Sequence, residues 1–158
     1  MIEKVYISYF YQIRFFTPNL VPLSTAIWDP KWYHQMNEQD YIFKDKNGVL
    51  NGLRINPLHP QPHNDGCIEC NRTGDPTTCD FIRIYTEQLR AIDFNDFMIQ
   101  LEKYLNKINS IYLHYTSVEY LTPVFIVHEA PNNKCSERGP LFKWFSDNGV
   151  KCEEWKRG

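Results

Sequence analysis

Short apolar runs alternate with amphipathic segments along this chain. The run at positions 5–11 is β-branched and aromatic throughout, which is typical of a strand buried in a sheet. A second extended run covers positions 20–28, where Pro22 indicates an edge or the start of a strand. Positions 123–127 form a third, compact apolar run, and the segment at 150–155 is a further strand candidate that closes the chain. These four runs are predicted strands.

Two amphipathic segments between these runs predict helices. Residues 81–92 place Phe81, Tyr85 and Leu89 on one face. Asp93 has the character of an N-cap, and apolar side chains then recur at about 3.5-residue spacing through positions 94–108. Such a stripe indicates a helix that packs on a sheet.

A third helix is predicted after the run at 123–127. Ser136 can cap this helix, and Asn148-Gly149 is a typical helix terminator. A turn at 45–48 precedes a short strand or hairpin arm, whereas residues 111–121 fit a strand or irregular structure equally well. Because strands alternate with helices, residues 1–158 are predicted to form a single α/β domain with a Rossmann-like layered sheet, at least partly parallel.

Residues 57–80 interrupt this pattern, being rich in Pro, Gly, Asn and Asp without periodicity. Four potential metal ligands lie there. They are His63, Cys67, Cys70 and Cys79, with His59 as an alternative to His63. Thiolates and imidazoles suit Zn²⁺, and a Cys-x2-Cys pair supplies two ligands from one turn. We therefore predict a zinc-stapled loop insertion with a closed, structural site; a disulfide from Cys79 to Cys67 or Cys70, or reduced thiols without metal, are the alternatives.

Charge and apolar content exclude several classes of protein. Seventeen basic and nineteen acidic residues leave a net charge of −2, which disfavours a general nucleic-acid binder driven by phosphate charge. Neither an export signal nor an uncharged apolar run of about 18 residues is present, so no membrane association is expected. Five cysteines, three of them at metal-like spacing, indicate a reducing compartment, and the cytoplasm is the predicted location.

Polar side chains cluster where the strand at 123–127 runs into the third predicted helix. A helix N-terminus offers free N–H groups to an anion, and Arg138 adds a bidentate partner. The same position would lower the pKa of Cys135, and either His128 or Glu129 could then act as the base that activates this thiol as a nucleophile. Ser8, in the first predicted strand, and Arg14, just past that strand, could face the same site. The predicted ligand-binding residues are Ser8, Arg14, Glu129, Asn133, Cys135, Ser136 and Arg138.

Several segments match a known pattern: Ser8-Tyr9-Phe10, Arg14, residues 20–33, Glu129-Ala130-Pro131, Cys135-Ser136-Glu137-Arg138 and Lys143-Trp144-Phe145. Together they resemble the family called domain of unknown function 488, whose members commonly carry Glu-Lys-Pro and then Cys-His-Arg at the start of a helix. Here the histidine is missing and the arginine is displaced by one position. The resemblance implies a Rossmann-like fold with a pocket, a bacterial or phage setting, and no assigned reaction.

Three functional classes follow. The first is a protein that binds a nucleotide-like or other anionic small molecule at the strand-to-helix turn and carries a structural zinc. The second is an enzyme that acts on a nucleotide, nucleoside or modified base through Cys135, Glu129 and Arg138. The third is a zinc-stabilised protein-interaction module in a phage or defence setting. No Gly-x-Gly-x-x-Gly, P-loop or Gly-x-Ser-x-Gly motif occurs, so dinucleotide, NTPase and common hydrolase readings lose support.

Overall fold

The computed structural model describes residues 2–33, 41–60, 79–115, 117–133 and 135–158. Within these residues the strands are β1 (Lys4–Tyr9), β2 (Leu20–Ser24), β3 (Phe43–Lys44), β4 (Leu50–Asn51), β5 (Thr122–Val127) and β6 (Lys151–Glu154). The α-helices are α1 (Asp80–Arg90), α2 (Phe94–Ile108) and α3 (Arg138–Asp147). Four strands form a sheet in the order β2-β5-β1-β6, and every neighbouring pair is parallel. The predicted α/β class and partly parallel sheet are confirmed.

The register of the sheet explains the apolar runs. Tyr6 of β1 lies beside Val124 of the central strand β5, and Leu23 of β2 lies beside Phe125. Five of the six residues of β5 are buried because both faces of the sheet are covered. Pro22 lies in β2, which is an edge strand of this sheet. Proline has no backbone N–H to donate to a second neighbouring strand, so it is found at such edges.

Alternate side chains of β5 pack into two hydrophobic cores, one on each face of the sheet. On one face, Phe125 packs in a cluster with residues of α2 and α3, including Leu101 and Phe145. On the other face, Val124 and Ile126 pack with side chains that follow β1 and β2. The helices therefore cover one face of the sheet, and the β1–β2 connection together with residues that follow β2 covers the other.

The helix boundaries follow the predicted signals. Asp93 Oδ1 accepts a hydrogen bond from the Asp96 backbone N–H at 3.0 Å and so caps α2. Ser136 Oγ accepts from the Arg138 N–H at 3.1 Å at the start of α3. Gly149 has φ +80° just after α3, where the left-handed conformation favours glycine. The Asp93 cap and the terminator at Gly149 are thus confirmed, whereas the N-cap of α3 is Glu137 rather than the predicted Ser136.

Other segments differ from the simple strand-or-helix prediction. The first strand ends at Tyr9, and Phe10–Phe15 forms a 3₁₀-helix whose Phe10 and Ile13, three residues apart, are both buried. The region of residues 111–121, whose sequence fits a strand or irregular structure equally well, overlaps a π-helical turn, Asn109–Leu113, and contains a 3₁₀-helix, Val118–Tyr120. Strands β3 and β4 form the predicted hairpin. Among the described helices, none is both long enough and apolar enough to cross a membrane.

Candidate functional site

The carboxyl ends of all four parallel strands lie at one edge of the sheet. From β1 the chain passes to β2 on one side, whereas from β5 it passes to β6 on the other. The two connections leave the neighbouring strands β1 and β5 in opposite directions, and such a point creates a crevice where ligands bind in open α/β sheets. The residues that follow β5 are therefore the first place to search for a site.

Two carboxyl groups meet in this region. Glu129 follows β5, and Glu137 is the 2% exposed N-cap of α3. Burial, followed by the neighbouring Glu129 carboxyl, raises the pKa of Glu137 to about 8. Two carboxylates this close repel each other, and this repulsion adds to burial in favouring the protonated form of Glu137. Neither Glu129 Oε2 nor Glu137 Oε2 meets a nitrogen or hydroxyl donor among the described residues.

The carboxyl pair opens on a pocket of about 160 Å³. Its described lining residues are Ile27, Trp28, Pro60, Phe81, His128, Glu129 and Glu137. Trp28 is 81% exposed, which is unusual for so large an apolar ring. The pocket combines an acidic end with aromatic walls, and we call it the carboxylate pocket.

Arg138 is turned away from this pocket and is buried in an ion pair with the last strand. Its Nε donates to Glu154 Oε1 at 2.5 Å, and its Nη2 approaches Glu154 Oε2 at 3.4 Å. The pair joins the first residue of α3 to the last residue of β6. The positive charge of Arg138 is therefore largely neutralised by the chain itself.

A second, separate pocket of about 400 Å³ lies between α1 and α3. Its described lining residues are Ile82, Thr86, Pro131, Asn133, Ser136, Arg138, Gly139, Pro140, Phe142 and Lys143. Three predicted site residues, Asn133, Ser136 and Arg138, share this pocket, whereas Glu129 lines the carboxylate pocket. The turn thus divides the predicted anion site between two cavities.

The predicted site residues of the first strand and its end lie elsewhere. Ser8 is fully buried, and its Oγ has no partner among the described residues. Arg14 donates from Nε to the Tyr11 carbonyl at 2.9 Å and stacks over the Tyr11 ring at 4.0 Å. Arg14 lines a third pocket with residues of the β3–β4 hairpin. It is not brought to the β5–α3 turn.

Only some of the predicted metal ligands lie within the part of the chain that the structure describes. His63, Cys67 and Cys70 lie outside the described residues, as does most of the predicted insertion. Cys79 is buried just before α1, and its Sγ lies 3.8 Å from Cys135 Sγ. The alternative ligand His59 approaches Arg54 Nη2 through Nδ1 at 3.3 Å, and burial lowers its pKa. Among the residues that the structure describes, no group of three or more metal-ligating side chains occurs.

Sequence reasoning missed Glu137 and the approach of Cys79 to Cys135. Acidic residues at helix N-termini are usually exposed and interact with the helix dipole, so nothing local marks Glu137 as buried. The two cysteines are 56 positions apart, and their meeting depends on how α1 and α3 pack. Trp28 and Tyr33 belong to one aromatic stretch of the sequence, in which Trp28 is exposed and Tyr33 is fully buried.

Comparison with known proteins found no matching protein-family model, no matching curated protein and no matching solved structure. The resemblance to domain of unknown function 488 therefore stays a prediction. Function has to be argued from the geometry of the site.

Proposed function

We propose that this protein binds a small molecule with a nucleobase-like ring in the carboxylate pocket. The observation that carries the proposal is the pair of buried carboxyl oxygens, Glu129 Oε2 and Glu137 Oε2, that find no nitrogen or hydroxyl donor among the described residues. Buried polar groups in folded proteins are nearly always hydrogen-bonded. Ring N–H or amino groups of a ligand would supply the missing donors.

The charge of the pocket selects the part of the ligand that enters it. A phosphate or carboxylate would meet two carboxyl groups, and Arg138 is already paired with Glu154. A neutral or cationic heterocycle with N–H donors is free of that repulsion. For a nucleotide-like ligand, the base therefore enters the pocket, and the anionic part stays outside it.

The walls and size of the pocket suit one flat ring. The largely exposed Trp28 lies at the pocket and offers a face for stacking, an interaction that contributes about 1–3 kcal/mol per base. A volume of about 160 Å³ holds a single heterocycle but is small for a complete nucleotide. The four parallel strands with a crevice between β1 and β5 support a Rossmann-like assignment. The cysteine usage supports a cytoplasmic location.

Calorimetric titration with guanosine, adenosine, cytidine and uridine tests the proposal. We expect guanosine to bind most tightly, since its ring N–H and amino group together present the widest donor edge to a carboxylate. Glu129→Gln should weaken binding at least about tenfold, because an uncharged amide replaces the acceptor carboxylate. Trp28→Ala should weaken binding through lost stacking, by about tenfold or more.

Two matched variants control for general effects of these substitutions. Glu153→Gln removes a partly exposed carboxylate that faces Lys4 and Lys151, away from the pocket. Trp32→Ala removes a partly exposed ring at the pocket that contains Arg14. Binding that is absent for all four nucleosides, or equal in Glu129→Gln and Glu153→Gln, would refute the proposal. Conversion of a bound nucleoside to product would instead support the enzyme hypothesis.

A further inference from the structure

Two cysteine thiols from distant parts of the chain lie side by side. Cys79 Sγ and Cys135 Sγ are 3.8 Å apart, far beyond the bond length of about 2.05 Å in a disulfide. Zinc–thiolate bonds of about 2.3 Å at tetrahedral angles place neighbouring sulfur atoms about 3.8 Å apart. The observed separation therefore equals one edge of a zinc–thiolate tetrahedron.

Both thiols lie close to the starts of helices. Cys79 directly precedes α1, and Cys135 lies two residues before the N-cap of α3. A backbone hydrogen bond from Cys135 N–H to Asn133 Oδ1, at 2.9 Å, orients this segment. Two helix starts thus present one sulfur each to a common point.

We propose that Cys135 is a ligand of the same zinc ion as Cys79. Cys67 and Cys70 lie outside the described residues, and the Cys-x2-Cys spacing alone predicts them as the other two ligands of a four-thiolate site. Four cysteines fill a tetrahedral structural site, so neither His63 nor His59 is required as a ligand. The zinc would join the start of α1 to the start of α3. This inference is independent of the nucleobase pocket, and each can fail without the other.

The unmodified protein provides the first test. The protein is alkylated with iodoacetamide with and without a strong chelator, and the modified cysteines are identified by mass spectrometry. We expect Cys135 and Cys79 to be protected until the chelator removes zinc. Cys152 is the internal control: burial, followed by Glu154 and Glu153, raises its pKa to about 12, so it should react slowly in both conditions. Alkylation of Cys135 that is indifferent to the chelator would overturn the proposal.

The ligand count provides the second test. Replacing zinc with Co²⁺ gives an absorption spectrum whose thiolate charge-transfer intensity reports the number of sulfur ligands. We expect four thiolates in the wild type, three or loss of cobalt in Cys135→Ser, and no change in His63→Ala or Cys152→Ser. Zinc affinity measured by chelator competition should fall at least about tenfold in Cys135→Ser.

Three results would contradict the four-thiolate site. A wild-type spectrum of three thiolates and one imidazole, lost in His63→Ala, would restore the histidine as the fourth ligand. A metal-free protein whose mass is lower by two hydrogens would indicate a disulfide. Metal-free protein with all thiols reduced would exclude the site altogether. The cobalt spectrum of the wild type remains decisive even if Cys135→Ser fails to fold.

Discussion

The ion pair between Arg138 and Glu154 offers a quantitative test of the structure. Only 8% of the Arg138 side chain and 17% of the Glu154 side chain are exposed. Replacing Arg138 by Met keeps the apolar volume but leaves the carboxylate of Glu154 buried without its charged partner. Breaking a buried pair in this way typically costs about 3–5 kcal/mol. We expect about 3 kcal/mol, because Glu154 retains some access to water and can accept a proton.

The assay is urea unfolding followed by circular dichroism, supported by thermal melting. For a domain of this size, a loss of about 3 kcal/mol lowers Tm by roughly 6–12 °C. The double variant Arg138→Met, Glu154→Gln should recover most of the loss, because no buried charge remains. Arg90→Met is the matched control, since its ion pair with Glu87 is well exposed and should contribute less than about 1 kcal/mol.

The pH dependence of the Arg138→Met variant has a defined sign. Burial already raises the pKa of Glu154, and the guanidinium of Arg138 opposes that shift. Without Arg138 the folded-state pKa rises further above the unfolded value, so protonation favours the folded state. The variant should therefore be least destabilised at a pH below the unfolded-state pKa of Glu154 and lose stability as the pH rises through the folded-state pKa. A variant as stable as the wild type, or a double variant no better than the single one, would refute the buried-pair assignment.

Three further predictions follow from the backbone and the proposed metal site. Asp93→Ala should cost about 1 kcal/mol in urea unfolding, because the cap on the Asp96 N–H is lost; an unchanged midpoint would contradict it. Gly52→Ala should cost about 3 kcal/mol or more, since φ is +90° and a Cβ would lie 2.1 Å from the Tyr41 carbonyl oxygen. Gly139→Ala is its control and should be neutral or slightly stabilising, as open space surrounds that position in α3. Chelator treatment should lower Tm, and a melting curve that is identical with and without chelator would contradict a structural zinc.

Local signals in the sequence predicted most of the fold. The apolar run of β5, the N-cap Asp93 and the terminator at Gly149 are short-range features whose physical cause lies within a few residues. The 3₁₀-helix after β1 was missed because Phe10 and Ile13 are apolar in a strand and in a helical turn alike. Only the packing of that turn against Val124 and Ile126 decides between the two.

The site was less predictable because it depends on contacts between distant segments. The sequence shows that polar residues are concentrated at the β5–α3 turn. It did not reveal that Arg138 would be neutralised by Glu154, sixteen positions later, or that Glu137 would be buried beside Glu129. Nor could it bring Cys135 to Cys79, since the relative position of two helix starts is a tertiary property.

The short turn that begins α3 constrains how the sequence of this protein can evolve. Cys135 faces Cys79, Glu137 faces Glu129, and Arg138 faces Glu154, so three neighbouring positions are tied to three different segments. A shift of the turn that relieves one substitution disturbs the other two contacts. Contacting residues of this kind show coupling energies of about 0.5–3 kcal/mol. Substitutions here should therefore be strongly epistatic, and related chains should exchange these residues together with their partners rather than one at a time.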